Sequence, residues 1–256
     1  MAPVAALLDS RGALGSLRRS MPRHGGPVLA CRSVTGLEAA LGERLLEAVV
    51  LGTRAIRSMD FAALRARFPG IPVVAYGVFR SDDADLLLAW QRLDVAAVAV
   101  EGVDDPVVGD LVMRHSVSVR RRAALSDAPR LLRLTEPLQR RAWDMLVASI
   151  GRPPRTALIA GALGMSREHL SRQFGAGGAP NLKRVADLLT VLAALALLRN
   201  PACPPTRVAR LLGLSTPSHL RAMVRRISGA GLAEALGLSD AEVLRRFLKG
   251  SGRSRT

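Results

Sequence analysis

The sequence predicts two domains of different fold class: a small α/β domain with a parallel sheet, followed by an all-helical domain. Three observations carry this prediction. In the first half, short apolar and β-branched runs alternate with segments whose apolar residues recur at helical spacing. Near residue 123 the alternation stops, and in the second half a phrase of 13 residues returns about fifty residues later. A chain of 256 residues is long enough for two domains that each bury a core.

The first half is organised as an irregular lead followed by an α/β domain. The lead, residues 1–26, is rich in Gly, Pro, Arg and Ser. Apolar runs of strand length follow at 27–33, 48–56, 71–79 and 95–103. Segments with helical spacing lie at 35–47, 60–68, 83–93 and 105–116. Such alternation predicts βαβ units and a parallel sheet covered on both faces, here over 27–122. Four strands make a small sheet, which something in the lead could complete.

The second half, residues 123–256, is predicted to be entirely helical. Helices are expected at 134–151, 155–162, 166–174, 182–199, 205–212, 216–228 and 239–248. The longest apolar run, 185–198, has 14 residues and includes Asp187, so it is too short to cross a bilayer. The helix that contains it, 182–199, is apolar nearly all round and must be buried on more than one side. Packing against the N-terminal domain and dimerisation both remain open as explanations.

Basic residues are concentrated in the second half. The chain has 37 Lys+Arg and 21 Asp+Glu, a formal charge of +16. Residues 1–122 hold 16 basic and 13 acidic side chains, net +3, and residues 123–256 hold 21 and 8, net +13. Charge gathered in one half is typical of a protein with a polyanionic partner. A basic surface without such a partner is the alternative.

Cysteine usage and the N-terminus favour a cytoplasmic protein. Cys31 and Cys203 lie in different halves, form no metal-ligand spacing and are expected to be reduced. The N-terminus lacks a cationic start and reaches Asp9 too early for a secretory signal. We therefore expect no metal, no cofactor and no association with a membrane.

The repeated phrase predicts two pairs of helices. In "ALGMSREHLSRQF" (162–174), Gly164 allows a tight turn, and Ser166 is suited to cap the following helix. Leu170 and Phe174 lie four residues apart and form its buried stripe. The side chains left to point outward or sideways are Arg167, Glu168, Ser171 and Arg172, with His169 at the edge.

The second copy, "LLGLSTPSHLRAM" (211–223), follows the same logic with one extra residue after the serine. Its buried positions are predicted to be Val208, Ala209, Leu212, Leu220 and Val224, with Gly213 at the turn. The side chains left outside are Ser218, His219, Arg221 and Arg225. The two units span 155–174 and 205–228, joined by the linker helix 182–199.

Residues 134–236 resemble the DNA-binding domain of the AraC/XylS family of bacterial transcription regulators. The matching motifs are "IAGALGMSREHLSRQF" (159–174), "LLRNP" (197–201) and "VARLLGLSTPSHL" (208–220). The resemblance implies two helix-turn-helix units that bind adjacent major grooves of double-stranded DNA. It implies DNA contacts from Arg167, Glu168, His169, Ser171, Arg172, Thr216, Ser218, His219, Arg221 and Arg225. Phosphate contacts are expected from Arg155, Arg184, Arg207 and Arg226.

This sequence departs from the family pattern in its second unit. The arginine common in the family's second reading helix falls on Ala222, and the aromatic residue two positions later falls on Val224. The closing signature is reduced to "GAGLAEAL" (229–236). The second unit is therefore expected to be the weaker reader of sequence. A non-specific, nucleoid-type DNA-binding protein is the alternative function.

Residues 27–120 loosely resemble the second half of a response-regulator receiver domain. Gly52 and Thr53 stand near the strand end where receivers carry the phosphorylated aspartate, and Glu101 stands where they carry a lysine. The resemblance therefore implies a degenerate receiver without a Mg²⁺ site or phosphotransfer. It leaves room for an unknown effector or a homodimer contact.

An enzyme in the α/β half is the third hypothesis, since such sites lie beyond the carboxyl ends of strands. Those ends are predicted at Arg32-Ser33, Gly52-Thr53, Tyr76-Gly77 and Glu101-Gly102. They carry no nucleophile–base pair and no cofactor fingerprint. We expect no catalytic residues.

Overall fold

The computed structural model describes residues 2–80, 83–149 and 151–251 and divides the chain into two compact units. The first unit is Met1–Arg120 with Asn200–Ala202, and the second is Arg121–Arg199 with Cys203–Thr256. The division falls between residues 120 and 121, where the sequence placed it between 122 and 123.

The first unit is a doubly wound α/β fold. Its elements are β1 (Val4–Leu7), α1 (Arg11–Ser20), β2 (Val28–Ala30), α2 (Val34–Glu43), β3 (Ala48–Leu51), α3 (Thr53–Ser58), α4 (Phe61–Arg67), β4 (Val73–Gly77), α5 (Ala84–Arg92), β5 (Ala97–Val100) and α6 (Val108–Arg114). The five strands are parallel in the order β2-β1-β3-β4-β5. This is the flavodoxin-like order. The predicted parallel sheet is confirmed.

The prediction of an irregular lead over 1–26 is wrong. The lead supplies β1, which pairs with β2 and β3 on its two sides, and its register places Val4 opposite Ala48. Residues Val4–Leu7 are almost fully buried. The lead also supplies α1, capped by Ser10 and buried at Ala13 and Leu17. Two glycines, three arginines and two serines within α1 obscure its helical signal in the sequence, because glycine disfavours helix.

The third strand ends earlier than predicted. The sequence extends the run to residue 56, but β3 ends at Leu51 and α3 begins at Thr53. Thr53, Ala55 and Ile56 are buried, so the run of inward residues continues across the change from strand to helix. Periodicity alone cannot locate such a change in a short apolar run.

The second unit consists of helices. Its elements are α7 (Val117–Ala124), which runs across the division, α8 (Ala128–Leu131), α9 (Pro137–Val147), α10 (Thr156–Ala162), α11 (Arg167–Phe174), α12 (Leu182–Leu198), α13 (Pro205–Leu211), α14 (Pro217–Ser228), α15 (Leu232–Leu236) and α16 (Asp240–Ser251). A short 3₁₀ turn lies at Ala176–Gly178. The predicted all-helical second half is confirmed.

Helix α12 lies at the centre of the second unit. It contacts α9, α13, α14, α15 and α16, and ten of its residues are buried. Its own unit thus supplies neighbours for the buried residues of α12. No helix of the described residues is long and apolar enough to span a bilayer.

Candidate functional site

The first helix pair, α10 and α11, is built around a tight turn at Gly164. Gly164 has φ +70°, a left-handed conformation that favours glycine. The Ser166 hydroxyl accepts a hydrogen bond from the His169 backbone N–H at 3.2 Å, so the predicted helix cap is confirmed. Leu170 and Phe174 are fully buried, as predicted. The burial of these two side chains turns the polar side of α11 to solvent.

The second helix pair, α13 and α14, repeats this arrangement with a different cap. Gly213 again has φ +70° at the turn. The extra residue of the second copy makes Thr216 the cap, whose hydroxyl accepts from the His219 backbone N–H at 3.1 Å. The preceding Ser215 hydroxyl lies 3.3 Å from Nδ1 of His219. Buried positions in this pair, Val208, Ala209, Leu212, Leu220 and Val224, are as predicted.

Nine of the ten side chains expected to contact DNA lie on the outward sides of α11 and α14, and the tenth, that of Thr216, caps α14. Each of the ten is exposed. Aligned on Leu170 and Leu220, the copies place Ala222 opposite Arg172. Within the described residues, Arg172, Arg221 and Arg225 make no hydrogen bond or ion pair, so their guanidinium groups are available to a ligand.

Glu168 is the acidic member of the α11 surface. Its carboxylate accepts a hydrogen bond from Nε of Arg167 at 3.1 Å, and both side chains are about two-thirds exposed. Hydrogen bonds from its own backbone N–H and from Arg167 hold the pKa of Glu168 below its usual range. At neutral pH the group is therefore an ionised acceptor.

A buried glutamine from α9 fixes the end of α11. Nε2 of Gln139 donates to the carbonyl oxygens of Phe174 at 2.9 Å and Ala176 at 3.1 Å. Its Oε1 accepts from the Glu136 backbone N–H at 3.0 Å, completing a capping box at the start of α9. One side chain thereby caps the beginning of one helix and satisfies carbonyl groups at the end of another.

An arginine that precedes α10 caps the end of α13. Nε of Arg152 donates to the Leu211 carbonyl at 2.6 Å, and Nη2 donates to the Arg210 carbonyl at 3.1 Å. A cation at a helix C-terminus also complements the negative end of the helix dipole. Arg152 therefore ties the segment before the first pair to the second pair.

The four arginines expected at phosphates have different surroundings. Arg226 forms an ion pair with Asp187 of α12 at 2.8 Å, and Arg184 lies over the Phe247 ring, 5.2 Å from its centroid. Arg155 is exposed just before α10, and Arg207 is half-buried in α13. A DNA phosphate would have to compete with Asp187 for Arg226. The sequence did not predict this ion pair.

A shallow groove runs along α14 beside the start of α15. It is lined by Arg221, Ala222, Arg225, Arg226, Gly231 and Leu232. The methyl group of Ala222 thus lies between arginines, at the position where the family resemblance places another arginine. The groove offers charge on its sides and no hydrogen-bond donor from the side chain of residue 222.

Three polar side chains of the second unit that bind backbone carbonyls were not predicted from the sequence: the buried Gln139, the half-buried Arg121 and the exposed Arg152. Arg121 donates through Nη1 to the Ser149 carbonyl at 3.1 Å and through Nη2 to the Leu189 carbonyl. Burial lowers the pKa of Arg121 to about 10, while the charge of Asp240 acts in the opposite direction. Of the three, only Gln139 had a signal in the sequence, since it follows Glu136 at capping-box spacing ahead of an apolar run.

The carboxyl edge of the sheet carries an acid that was not predicted there. Asp9 follows β1, the first strand, whereas the sequence placed the first strand at 27–33. Oδ2 of Asp9 accepts from the Thr53 hydroxyl at 3.1 Å and the Arg54 N–H at 2.9 Å, and Oδ1 accepts from the Ala55 N–H at 3.3 Å. Asp9 thus caps the beginning of α3.

Gly52 lies against this carboxylate. A Cβ at position 52 would lie 2.4 Å from Oδ1 of Asp9, so a side chain there would require this carboxylate to move. The carboxylate of Asp9 therefore occupies the space into which residue 52 would project. This explains the glycine at the strand end where the receiver resemblance places an aspartate.

Other acids at this edge are also held by protein donors. Glu101 accepts from the Ser10 hydroxyl at 2.7 Å. Asp105 accepts from the Tyr76 hydroxyl at 2.6 Å, the Ser16 hydroxyl at 2.8 Å and the Gly102 N–H at 2.7 Å. These bonds, that of Tyr76 first, lower the pKa of Asp105, and burial together with Asp105 raises the pKa of Tyr76. The described residues contain no cluster of three side chains suited to a metal ion.

Comparisons with known proteins add little. No family model and no curated protein matches this chain. Two solved structures are similar to parts of it: full-length FixJ from B. japonicum and the response regulator StyR. FixJ is 15% identical with a TM-score of 0.38, covering 83% of this chain and 97% of FixJ. StyR is 17% identical with a TM-score of 0.37, covering 88% of this chain and 100% of StyR.

Proposed function

We propose that this chain is a sequence-specific DNA-binding transcription regulator of the AraC type. The observation that carries the proposal is the repeated helix pair. In both copies a hydroxyl side chain caps the second helix, leucine at the same aligned position is fully buried, and the opposite side presents exposed polar and basic residues. We interpret the pairs as helix-turn-helix units, with α11 and α14 as recognition helices and α12 as the linker.

Base contacts are assigned first to α11. An α-helix fits the major groove, where each base pair presents a distinct set of donors and acceptors. Arg172, which has no partner among the described residues, is suited to bind guanine through two parallel hydrogen bonds. Glu168, held as a carboxylate, is suited to accept from the amino group of cytosine. Ser171 and His169 flank these two side chains on the same helix.

Phosphate contacts are assigned chiefly to the second pair. Arg221 and Arg225 lie four residues apart on α14 and line the same groove. Because Ala222 stands opposite Arg172, α14 offers fewer donors to base edges than α11 does. We therefore propose that α11 contributes most of the sequence preference, while α14 contributes mostly affinity. The net charge of +13 in the second half supports this electrostatic component.

A nucleoid-type protein that binds DNA without sequence preference is the second candidate. The observation in its favour is Ala222, which removes one expected reader while leaving arginines beside it. Neither candidate assigns catalysis to the first unit, and both suit a cytoplasmic protein. The two candidates differ in one property, the ratio of affinities for selected and random DNA.

Binding-site selection with the full chain separates them. If the proposal is right, selection enriches a motif with two elements about one helical turn, roughly 10 base pairs, apart. Enrichment of no motif, with equal affinity for random duplex, would favour the nucleoid-type protein. Absence of binding to any duplex at low salt would refute both candidates.

A further inference from the structure

The first unit contains an arginine-lined cleft that neither DNA contact nor the sheet-edge hydrogen bonds explain. It is open, has a volume of about 870 Å³, and lies at the carboxyl ends of β1 and β2 beside α1. Ligand sites of small molecules occupy roughly 300–1,000 Å³, and in open α/β sheets they lie beyond the carboxyl ends of the strands. Both its size and its place in the fold therefore suit a small-molecule site.

Helix α1 presents one continuous side to the cleft. Arg11, Leu14, Gly15 and Arg18 all line it, and their spacing of three, four and seven residues places them on one side of the helix. Arg32, which follows the end of β2, lines the cleft as well. Two successive turns of α1 and the neighbouring strand end thus bring three guanidinium groups to one cavity.

None of these three arginines has a partner in the protein. Arg11, Arg18 and Arg32 are exposed and form no hydrogen bond or ion pair within the described residues. Among the described residues that line the cleft, Asp9 is the single acid, and its carboxylate is already bonded to Thr53, Arg54 and Ala55. The cleft therefore has an excess of positive charge. Its guanidinium groups repel one another, and a bound anion would relieve this repulsion.

Apart from Asp9, Ser10 and Gly15, the rest of the lining is apolar. Leu7, Leu8 and Leu14 contribute side chains, with Ala6 and Ala30 between the strand ends. Cys31 also lines the cleft, and burial raises the pKa of its thiol, which keeps the group neutral. A ligand that satisfies this lining needs an anionic group for the arginines and an apolar body for the leucines.

We propose that this cleft binds a small molecule in which a carboxylate or phosphate group is attached to an apolar body. The forked guanidinium group binds both kinds of oxyanion through paired hydrogen bonds. The cavity and the leucines in its lining favour a small ligand over duplex DNA, for which an exposed basic surface suffices. The proposal does not depend on the DNA-binding function, because the ligand and its site belong to the first unit.

The test uses the full ¹⁵N-labelled chain and four matched probes: phenyl phosphate, phenylacetate, inorganic phosphate and neutral benzyl alcohol. We expect phenyl phosphate or phenylacetate to shift the amide signals of Gly15 and Cys31, and the stronger of the two identifies the preferred oxyanion. Benzyl alcohol should leave these signals in place. Shifts by neither aromatic anion, or equal binding of benzyl alcohol, would overturn the proposal. If inorganic phosphate alone shifted these amide signals, the proposal would also be overturned, since the apolar part of the lining would then contribute nothing to binding.

Variants locate the binding. Arg11→Ala and Arg18→Ala should each weaken binding of the preferred anion by about tenfold or more, the loss expected for a hydrogen bond to a charged group. Arg92→Ala removes an equally charged, exposed residue of α5 outside the cleft and should leave binding unchanged. Equal losses in all three variants would mean non-specific attraction and would refute the site.

Two further measurements complete the test. Bound anion should slow alkylation of Cys31 and leave the buried Cys203 unaffected, as read by mass spectrometry. In the absence of ligand, Arg11→Ala and Arg18→Ala should bind duplex DNA like the unchanged chain. A loss of DNA affinity as large as that of Arg225→Ala would identify the cleft as part of a DNA surface and would overturn the small-molecule assignment.

Discussion

The side-chain amide of Gln139 donates to the backbone carbonyl of Phe174, the last residue of α11, at 2.9 Å. Gln139 is 1% exposed and Phe174 is fully buried, so the bond lies in the interior of the second unit. It couples the start of α9 to the end of the proposed first recognition helix. The orientation of α11 therefore depends on a residue remote from the side that would face DNA.

Gln139→Leu should lower the stability of the second unit. The Phe174 and Ala176 carbonyls would lose a donor inside the protein, at a cost of about 1–3 kcal/mol in the free energy of unfolding. Hydrogen exchange of α11 amides should accelerate more than that of α16 amides. Gln173→Leu, at the exposed neighbouring position, is the matched control and should change neither. Equal exchange in the two variants would show that Gln139 does not fix α11.

Arg172→Ala and Arg225→Ala should have different effects on DNA binding. A bidentate contact to a base discriminates by roughly 1–3 kcal/mol, so Arg172→Ala should flatten sequence preference at one or two positions. Arg225→Ala should weaken binding to all sequences and reduce the salt slope by about one. Binding-site selection on both variants at two salt concentrations measures these effects. An unchanged motif in Arg172→Ala with an altered motif in Arg225→Ala would reverse the assignment of reader and anchor.

Asp187→Asn should strengthen DNA binding. The carboxylate of Asp187 pairs with Arg226 at 2.8 Å and with Lys183 at 3.2 Å, so its removal releases two cations. We expect affinity to rise several-fold, by the same factor for all DNA sequences, and the salt slope to become steeper by about one. Glu234→Gln breaks the Arg246 ion pair outside the recognition helices and removes the same charge, so it is the control. Equal gains in both variants would attribute the effect to net charge alone.

Gly52→Ala should destabilise the first unit because its Cβ would meet Oδ1 of Asp9 at 2.4 Å. Overpacking of this kind costs about 1–3 kcal/mol in the free energy of unfolding. In an Asp9→Ala background the same change should cost much less, since the clashing carboxylate is gone. Urea unfolding followed by Trp90 fluorescence in a Trp143→Phe background measures the free energy of unfolding of each single variant and of the double variant. Gly36→Ala, whose Cβ meets Ser33 at 3.4 Å, is the unclashing control. If the costs of Gly52→Ala and Asp9→Ala simply added in the double variant, the proposed contact would be contradicted.

Glu47→Gln should flatten the pH dependence of the first unit's stability. Burial raises the pKa of Glu47 above its ordinary value of 4.5, although the Ser118 N–H bonded to Oε2 at 2.9 Å opposes this. The pKa of Glu47 is higher in the folded state than in the unfolded state. Glu47 therefore contributes stability that is fully present below the ordinary pKa and is lost as pH rises through the folded-state pKa. Urea unfolding followed by Trp90 fluorescence in the Trp143→Phe background, from about pH 4 to pH 7, measures this pH dependence of the free energy of unfolding.

The exposed Glu43→Gln is the control for this prediction and should retain the pH dependence of the unchanged chain. If Glu47→Gln retained it as well, the dependence would belong to other groups.

The sequence alone predicts the two fold classes, seven helices of the second half, and the glycine turn and buried stripe of each helix pair. These features are local. A glycine with positive φ, a hydroxyl cap three residues before the N–H it binds, and leucines at helical spacing all lie within one short segment. For the same reason the outward side chains of α11 and α14 could be named from the sequence.

Features that join distant segments become visible only in the folded chain. The lead became β1 because the sheet pairs it on both sides, and α3 replaced the end of a predicted strand because Asp9, more than forty residues earlier, caps it. Asp187 binds Arg226 across 39 residues, and Gln139 reaches Phe174 across 35. A polar side chain reads alike in a sequence whether it faces water or a distant partner. Only the folded chain brings the two partners within hydrogen-bonding distance.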